Sequence, residues 1–342
     1  MTRESDRAFQ QHRKGVLLVG TGGTLAAEPR DVLDWIDYSA TGRYRPIAEI
    51  VGEVSAMLPG IPISSVDVLQ RDSSEIGPED WLLLGEKVEE MLCDDGIAGA
   101  VIVHGTSTLE EAAYFLHLTC TTAKPIILTG AQRPLSTVSS DGLANLLAAI
   151  CAAQSPQCTG TGVLVVFNSE IHAARDVTKE GTYELGAFRS RNTGPLGCVG
   201  ADGSVNLLRR PTKRGCPDTD FSRNVLGSLP RVDIVMSYAG CDGYAIDASV
   251  SAGARAIIHA GLSPGLPTKA EAKAIDRARD QNVLVVQASR GRQGVVHQSE
   301  RMQRLGIISA LDHSPQKARL IVMLSLAINF TAADIAEALA AY

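Results

Sequence analysis

The stretch that decides the fold is Gly15-Val16-Leu17-Leu18-Val19-Gly20-Thr21-Gly22-Gly23-Thr24-Leu25. Its first six residues form a continuous apolar run, which is typical of a parallel strand buried on both faces of a sheet. The two glycines between threonines predict a tight turn directly after that strand. Because open α/β sheets bind ligands at the carboxyl ends of their strands, this turn is the first candidate site.

The same turn departs from two nucleotide-binding patterns. A dinucleotide fingerprint needs glycine where this chain has Leu25, and a Walker A loop needs a Gly-Lys-Ser/Thr sequence that is missing. We therefore expect no cofactor, and no cysteine or histidine spacing indicates a metal. The structural alternative is a turn in which Thr21 and Thr24 bond only to backbone.

Similar apolar runs recur along the first half of the chain, with helical patterns between them. The further predicted strands are 99–104, 125–130 and 162–167, and the predicted helices are 81–93, 108–119 and 142–153. This alternation predicts βαβ units and a parallel sheet.

The periodicity breaks between residues 189 and 230, a stretch rich in Gly, Pro, Asn and Arg that we interpret as a connector with some local structure. A second alternation follows, with predicted strands 232–236, 256–260 and 283–287 and predicted helices 268–280, 315–327 and 331–341. A length of 342 residues also favours two domains. We place them at residues 1–220 and 221–342.

Composition narrows the function classes. Hydrophobic residues make up 45% and charged residues 20%, which excludes a disordered chain. The net charge of −6 and the sequence pI near 5.7 disfavour nucleic-acid binding. The polar stretch 1–15 lacks the features of a signal peptide, and no apolar run is long enough to span a membrane. Seven scattered cysteines without a CxxC pair predict reduced thiols in a cytoplasmic protein.

Two further motifs carry side chains suited to catalysis. In the first, His104 to Glu111, Ser107 with Glu110 or Thr108 with Glu111 fits a helix capping box, which leaves Thr106 unexplained. In the second, Arg175 to Lys179, the lysine is ordinarily a solvated surface residue. Placed near Thr106 and away from water, Lys179 would have a lowered pKa and could activate a hydroxyl, which alone is a weak nucleophile.

In combination, these motifs resemble the bacterial-type L-asparaginase family, which includes archaeal enzymes and amidotransferase subunits. The matching blocks are Thr21-Gly22-Gly23-Thr24, Asp72-Ser73-Ser74, His104 to Glu111, Gly130-Ala131-Gln132-Arg133-Pro134, Arg175 to Lys179, and Ser314-Pro315-Gln316-Lys317-Ala318-Arg319. The resemblance implies an α/β fold with a larger N-terminal parallel-sheet domain and a smaller flavodoxin-like C-terminal domain. It also implies a homodimer or homotetramer with active sites between neighbouring subunits.

The resemblance assigns roles position by position. Thr24 matches the threonine that attacks the amide carbon, and Tyr38 matches the lid tyrosine that activates it, with Tyr44 as a rival. Thr106 and Lys179 match the second threonine and the lysine of the triad. The other matches bind substrate: Ser73 and Ser74 fall where relatives hold the α-carboxylate and neighbouring groups. Backbone N–H groups at the strand ends suit an oxyanion hole.

Two departures concern the amino-acid end of the substrate. Ser107 stands where the family has an aspartate that contacts the α-ammonium and lies beside the triad lysine. The segment Gly261 to Leu266 replaces asparagines that reach the neighbouring site in relatives, and Leu266 cannot hydrogen-bond a ligand. Glu300 is the nearest match to the family's intersubunit acidic residue.

The resemblance therefore implies a threonine amidohydrolase that converts L-asparagine to aspartate and ammonia. One alternative keeps the chemistry on a related amide or cyclic amide without the α-ammonium, as Ser107 suggests. A second is a non-catalytic binding homologue, which the retained threonines and lysine disfavour. A third, an amidotransferase subunit acting on charged tRNA, is disfavoured by the short segment before the first strand. The partner expected is a small-molecule amide, with no nucleic acid and no membrane.

Overall fold

The structure is a computed structural model that describes residues 14–291 and 293–342. The chain divides into two compact units, the first ending at Thr212 and the second spanning Lys213–Tyr342. The sequence places this boundary between residues 220 and 221. Residues 213–220 group with the second unit because Arg214 N donates to Ala341 O and Asp220 N donates to the Tyr342 hydroxyl. The prediction that residues 1–15 are not a signal peptide stays a prediction, because residues 1–13 lie outside the part of the chain that the structure describes.

The first unit is built on an eight-stranded sheet in the order β10-β9-β6-β5-β4-β3-β1-β2. Its strands are β1 Gly15–Gly22, β2 Ile63–Arg71, β3 Ile97–Val103, β4 Ile126–Thr129, β5 Val163–Phe167, β6 Glu170–Ala173, β9 Gly197–Val199 and β10 Val205–Leu207, while β7 Thr178–Lys179 and β8 Phe188–Arg189 pair separately. Five neighbouring strands are parallel, as predicted; in sheet order they are β2, β1, β3, β4 and β5. β6, β9 and β10 extend the sheet, each antiparallel to the strand before it. The stretch interpreted as a connector thus supplies the last two strands at one end of the sheet, β9 and β10.

The central strands are apolar on both sides because helices cover both faces of this sheet. The helices are α1 Gly23–Ala26, α2 Ile47–Met57, α3 Pro78–Leu92, α4 Leu109–Thr119 and α5 Gly142–Gln154, with short 3₁₀ turns at Tyr38–Thr41, Ser73–Glu75 and Pro156–Cys158. Residues of α2 and α5 join Val16 and Leu18 in one core cluster. The neighbouring positions Leu17 and Val19 are also fully buried. Alternate residues of β1 therefore supply two cores.

The second unit is a four-stranded parallel sheet whose strands run in chain order, β11-β12-β13-β14. The strands are β11 Val232–Met236, β12 Ala256–Gly261, β13 Leu284–Ser289 and β14 Ile308–Ser309, and the helices are α6 Tyr244–Ser251, α7 Lys269–Asp280, α8 Glu300–Arg304, α9 Pro315–Ala327 and α10 Ala332–Ala341. The larger predicted elements of this half are confirmed within two residues at each end. This unit is the smaller parallel-sheet α/β domain that the sequence predicts.

A buried polar network fixes the start of α7 in the second unit. Glu271 and His259 are both fully buried, and Glu271 Oε1 lies 3.2 Å from His259 Nε2. Ser237 Oγ and the Thr268 backbone N–H donate to Glu271 Oε2 at 2.6 and 2.8 Å. Burial alone would raise the pKa of Glu271, but these hydrogen bonds and one from Cys241 outweigh it and lower the pKa to about 2.

This network predicts a pH-dependent contribution to stability. A carboxyl whose folded pKa is depressed stabilises the protein above its ordinary pKa, here 4.5, and loses that contribution as the pH falls towards 2. We expect Glu271→Gln to lower the free energy of unfolding by about 2 kcal/mol at pH 7, and the difference from wild type to shrink below pH 4.5. Urea denaturation at pH 7 and at lower pH measures both. Asp280→Asn, at the exposed end of α7, is the matched control and changes stability by less than about 0.5 kcal/mol. An equal loss at both pH values would contradict the prediction.

Candidate active site

Two strand-end turns meet at the carboxyl edge of the larger sheet. One follows β1 and carries Thr24; the other follows β3 and carries Thr106. These strands are parallel neighbours, with Gly20 opposite Val103. A Cβ on Gly23, where φ is +72°, would lie 2.4 Å from the Gly105 Cα. Only glycine allows the two backbones to approach this closely.

Thr24 is buried and contacts a tyrosine from the following loop. Its Oγ1 lies 2.9 Å from the Tyr38 hydroxyl. Burial raises the pKa of Tyr38, the Thr24 hydrogen bond acts in the opposite direction, and the Asp72 charge raises the pKa further. The phenol is therefore neutral at pH 7. Tyr44 instead forms a backbone bridge with Ala27, so the structure brings the hydroxyl of Tyr38 to Thr24.

The second hydroxyl is paired with a lysine. Lys179 Nζ, on β7, donates to Thr106 Oγ1 at 2.7 Å. Burial lowers the pKa of Lys179. No carboxylate oxygen in the described part of the chain lies within 4 Å of this ammonium, and the neighbouring Asp176 pairs with Arg175 at 3.1 Å. Desolvation without a counter-ion favours the neutral amine, which can accept a proton.

The predicted substrate-binding serines differ in burial. Ser73 is buried, whereas Ser74 and Ser107 are exposed. The Ser107 hydroxyl has no hydrogen-bond partner among the residues that the structure describes. All three lie on the turns around β2 and β3, so the structure gathers them with the threonines at one edge of the sheet.

The predicted capping box is wrong. The helix begins at Leu109 with Thr108 as its N-cap residue, and the Thr108 side chain makes no cap hydrogen bond. Its hydroxyl instead donates to the Ser73 carbonyl at 2.8 Å. The hydroxyl that local sequence assigns to the helix therefore ties the β3 turn to the turn after β2.

The turn at the end of a third strand, β4, packs against the Thr106 turn. After β4, the backbone N–H groups of Gln132 and Arg133 donate to Asp141, and Asn145 Nδ2 donates to the Gly130 carbonyl at 3.0 Å. A Cβ on Gly130 would lie 3.4 Å from Thr106 Cγ2 and 2.4 Å from the His104 carbonyl oxygen. Gly130 thus gives the Thr106 turn its space.

Two residues of this region, His104 and Asp72, are not among the site residues predicted from the sequence. His104 is buried with Nδ1 2.8 Å from the Gly105 carbonyl oxygen, and burial lowers its pKa to about 4, so its ring is neutral. Asp72 Oδ1 accepts hydrogen bonds from the Ser74 N–H and hydroxyl at 2.9 and 2.8 Å. Both residues occur in the motifs quoted from the sequence. Their position directly after a strand is the signal that could have found them.

Two of the residues singled out from the sequence, Leu266 and Glu300, belong to the second unit. Leu266 pairs with Leu262 in an isolated bridge and is 56% exposed. Glu300 is the first residue of α8 and is exposed. No group of three or more His, Cys, Asp or Glu side chains in residues 14–291 and 293–342 is arranged to hold a metal ion.

The first unit thus carries two threonines at adjacent strand ends, one against a tyrosine and one against a partly buried lysine, an arrangement typical of enzymes with a hydroxyl nucleophile. Comparison with known proteins is consistent with this class. Residues 15–213 match the model of the Asparaginase, N-terminal family, and residues 231–339 match the Glutaminase/Asparaginase C-terminal domain. The chain belongs to the asparaginase family and, by that membership, is an amide hydrolase.

Individual relatives match along almost the whole chain. L-asparaginase 2 of Bacillus subtilis is 35% identical over 318 residues, 91% of this chain and 82% of the relative. Glutaminase-asparaginase of Pseudomonas fluorescens is 36% identical over 314 residues, 91% of this chain and 86% of the relative. The crystal structure of a probable cytoplasmic L-asparaginase from Campylobacter jejuni is 34% identical with a TM-score of 0.90, covering 96% of this chain and all of that one. In the described part of this chain, no helix has the length and apolarity to cross a membrane.

The contact between the two glycines makes a prediction. Gly23→Ala would force the Thr24 and Thr106 turns apart, so we expect kcat/KM to fall about 100-fold and stability to fall by about 2 kcal/mol. The matched control is Gly52→Ala in α2, where an added Cβ meets no atom within 4 Å; it should leave kcat/KM unchanged and stabilise the protein by up to about 1 kcal/mol. Ammonia-release assays and thermal denaturation measure both variants. Full activity in Gly23→Ala would show that the turns do not depend on this approach.

Proposed function

We propose that the protein hydrolyses L-asparagine to L-aspartate and ammonia with Thr24 as its nucleophile. The observation that carries the proposal is the pair of short side-chain contacts: Thr24 Oγ1 2.9 Å from the Tyr38 hydroxyl, and Lys179 Nζ 2.7 Å from Thr106 Oγ1. The similarity to proteins named L-asparaginase and glutaminase-asparaginase supports the choice of substrate.

The chemistry proceeds in two halves. Thr24 Oγ1 attacks the side-chain amide carbon, its proton goes to the leaving nitrogen, and ammonia departs as an ester forms on Thr24. Water then attacks the ester and loses a proton through Thr106 to the unprotonated form of Lys179, releasing aspartate and regenerating the threonine hydroxyl. Backbone N–H groups of the strand-end turns stabilise the oxyanion in both halves.

Tyr38 acts on the nucleophile as a neutral group. Because burial and the Asp72 charge keep the pKa of Tyr38 above its ordinary value, its phenolate is scarce in the unliganded site. The hydroxyl orients Thr24 Oγ1 and relays its proton. The lowered pKa of Lys179 makes it the group best suited to accept the proton of the attacking water, which it returns to solvent before the next turnover.

A second candidate substrate follows from Ser107. An exposed, uncharged hydroxyl at this position offers an α-ammonium group no ion pair. The same machinery would then act on an amide or cyclic amide that lacks this group. The two candidates share Thr24, Thr106 and Lys179 and differ only in what Ser73, Ser74 and Ser107 must recognise.

The nucleophile assignment predicts the behaviour of two variants. Thr24→Ala should lose at least about 1000-fold in kcat, and Lys179→Met about 100-fold or more, because one removes the attacking oxygen and the other the base. Ammonia release is measured with asparagine, glutamine, succinamate and cyclic amides. Wild-type turnover of asparagine at micromolar to millimolar KM excludes the altered substrate. Unchanged properties in both variants would instead support a binding protein without catalysis.

The Lys179 assignment also predicts a pH profile. A base must be neutral to act, so kcat/KM should rise with pH along a limb whose midpoint lies below 10.5, the ordinary lysine value. Lys179→Met should remove that limb, whereas Lys124→Met, at a lysine that donates to the Leu92 and Asp94 carbonyls, should keep it. A limb that survives in Lys179→Met would assign the base elsewhere.

On this proposal the enzyme is a homodimer or homotetramer that works in the cytoplasm on a small-molecule amide. The similarity to a structure described as a probable cytoplasmic L-asparaginase supports the location.

A further inference from the structure

At the position where the family has an aspartate for the α-ammonium group of the substrate, the candidate site has no negative charge. An α-ammonium group held away from water needs an anionic partner, and Ser107 is neutral. Two nearby carboxylates are already engaged, since Asp176 pairs with Arg175 and Glu180 pairs with Arg191. The question is which carboxylate at this edge of the sheet remains available.

Asp72 lies between the two turns that carry the reactive threonines. Its predecessor Arg71 packs against the first turn, because a Cβ on Gly22 would lie 2.5 Å from the Arg71 carbonyl oxygen. Its successor Ser73 packs against the second, because a Cβ on Gly105 would lie 2.5 Å from Ser73 Oγ. The residues on either side of Asp72 therefore pack against the two turns that carry Thr24 and Thr106.

Among the residues that the structure describes, one oxygen of the Asp72 carboxylate has hydrogen-bond partners and the other has none. Oδ1 accepts both hydrogen bonds from Ser74, which fixes the orientation of the group as the N-cap of the Ser73–Glu75 turn. Oδ2 has no hydrogen-bond partner, and no Lys, Arg or His nitrogen lies within 4 Å of either oxygen, among the residues that the structure describes. One oxygen of a fixed anion is thus free to receive a donor.

The negative charge of Asp72 acts on titratable side chains of the candidate site. Burial dominates the pKa shifts of Tyr38, Tyr44 and His104, and the Asp72 charge contributes an upward shift to each; for His104 burial still leaves the pKa lowered. Glu75, on the same turn, contributes to the shift of Tyr44 alone among these three. Asp72 is therefore the acidic residue of this turn that acts on the group touching Thr24.

We propose that the free oxygen of Asp72 receives the α-ammonium group of the substrate and makes the enzyme selective for amides of α-amino acids despite the neutral Ser107. This assignment rests on the proposed amidase function and names the substrate class of that site. In this arrangement the Ser74 hydroxyl orients Asp72, and the second candidate substrate, lacking the ammonium, gains nothing from the carboxylate.

The test compares two amides that differ only in the amino group, L-asparagine and succinamate. Asp72→Asn keeps an oxygen that accepts from Ser74 and removes the charge. We expect the ratio of kcat/KM for asparagine to that for succinamate to fall about tenfold or more, the scale of one charge-assisted hydrogen bond. An ammonium group on Asp72 also offsets the effect of that charge on Tyr38, so the ratio measures the ionic contact together with this coupling.

Two further variants sharpen the result. Glu75→Gln removes a charge from the same turn and should change the ratio by less than about twofold. Asp72→Asn combined with Ser107→Asp returns one carboxylate to the site, on the other turn, and should recover most of the lost selectivity. Circular dichroism and thermal denaturation of each variant confirm that it folds.

The outcomes separate this proposal from the proposed function. Equal loss on both amides in Asp72→Asn, or no discrimination by the wild type, overturns the role of Asp72 and leaves the amidase intact. If the wild type hydrolyses neither amide, the proposed function fails, and calorimetric titration with L-aspartate and succinate decides the role of Asp72. Tighter binding of aspartate that disappears in Asp72→Asn supports the role; equal binding of the two acids overturns it.

Discussion

The close approach of Gly23 to Gly105 is the constraint on which the rest of the site depends. A side chain at either position would collide with the turn across from it or with Ser73. The two adjacent parallel strands, β1 and β3, bring these turns to one edge, and the absence of two Cβ atoms lets the backbones touch. The short contacts of Thr24 and Thr106 with Tyr38 and Lys179 are arranged around this one backbone contact.

Much of the fold is predictable because its central strands are apolar on both sides. β1, β3, β4 and β5 carry that signal, whereas β2 does not: Ile63–Arg71 mixes polar with apolar residues at the edge of the sheet. β9 and β10, the last two strands at the other end of the sheet, are only three residues long, too short for a periodic pattern. A continuous apolar run thus predicts a strand that is buried on both faces. Strands that are held in place mainly by pairing with a neighbour carry no such run and are not predicted.

The site is less predictable because its geometry comes from contacts between distant segments. The sequence favours Tyr38 with Tyr44 as a rival, and only the contact between the Tyr38 hydroxyl and Thr24 Oγ1 shows which hydroxyl reaches the threonine. Thr108 follows the local rule for a helix cap, yet its hydroxyl binds a carbonyl 35 positions away, at Ser73. A hydrogen bond to a fixed carbonyl competes successfully with a cap that the helix can replace by solvent.

The position of Asp72 also bears on how binding and chemistry are coupled. While the site is empty, the Asp72 charge adds to burial in raising the pKa of Tyr38, which disfavours proton transfer from Thr24. An ammonium group seated on Asp72 would cancel that charge, so the pKa of Tyr38 would fall only when a substrate with an α-amino group is bound. A carboxylate at position 107 would instead lie on the Thr106 turn, next to the threonine that Lys179 contacts. Because position 107 is neutral and Asp72 would hold the ammonium group, no carboxylate beside Thr106 raises the pKa of Lys179, while the bound substrate would lower that of Tyr38.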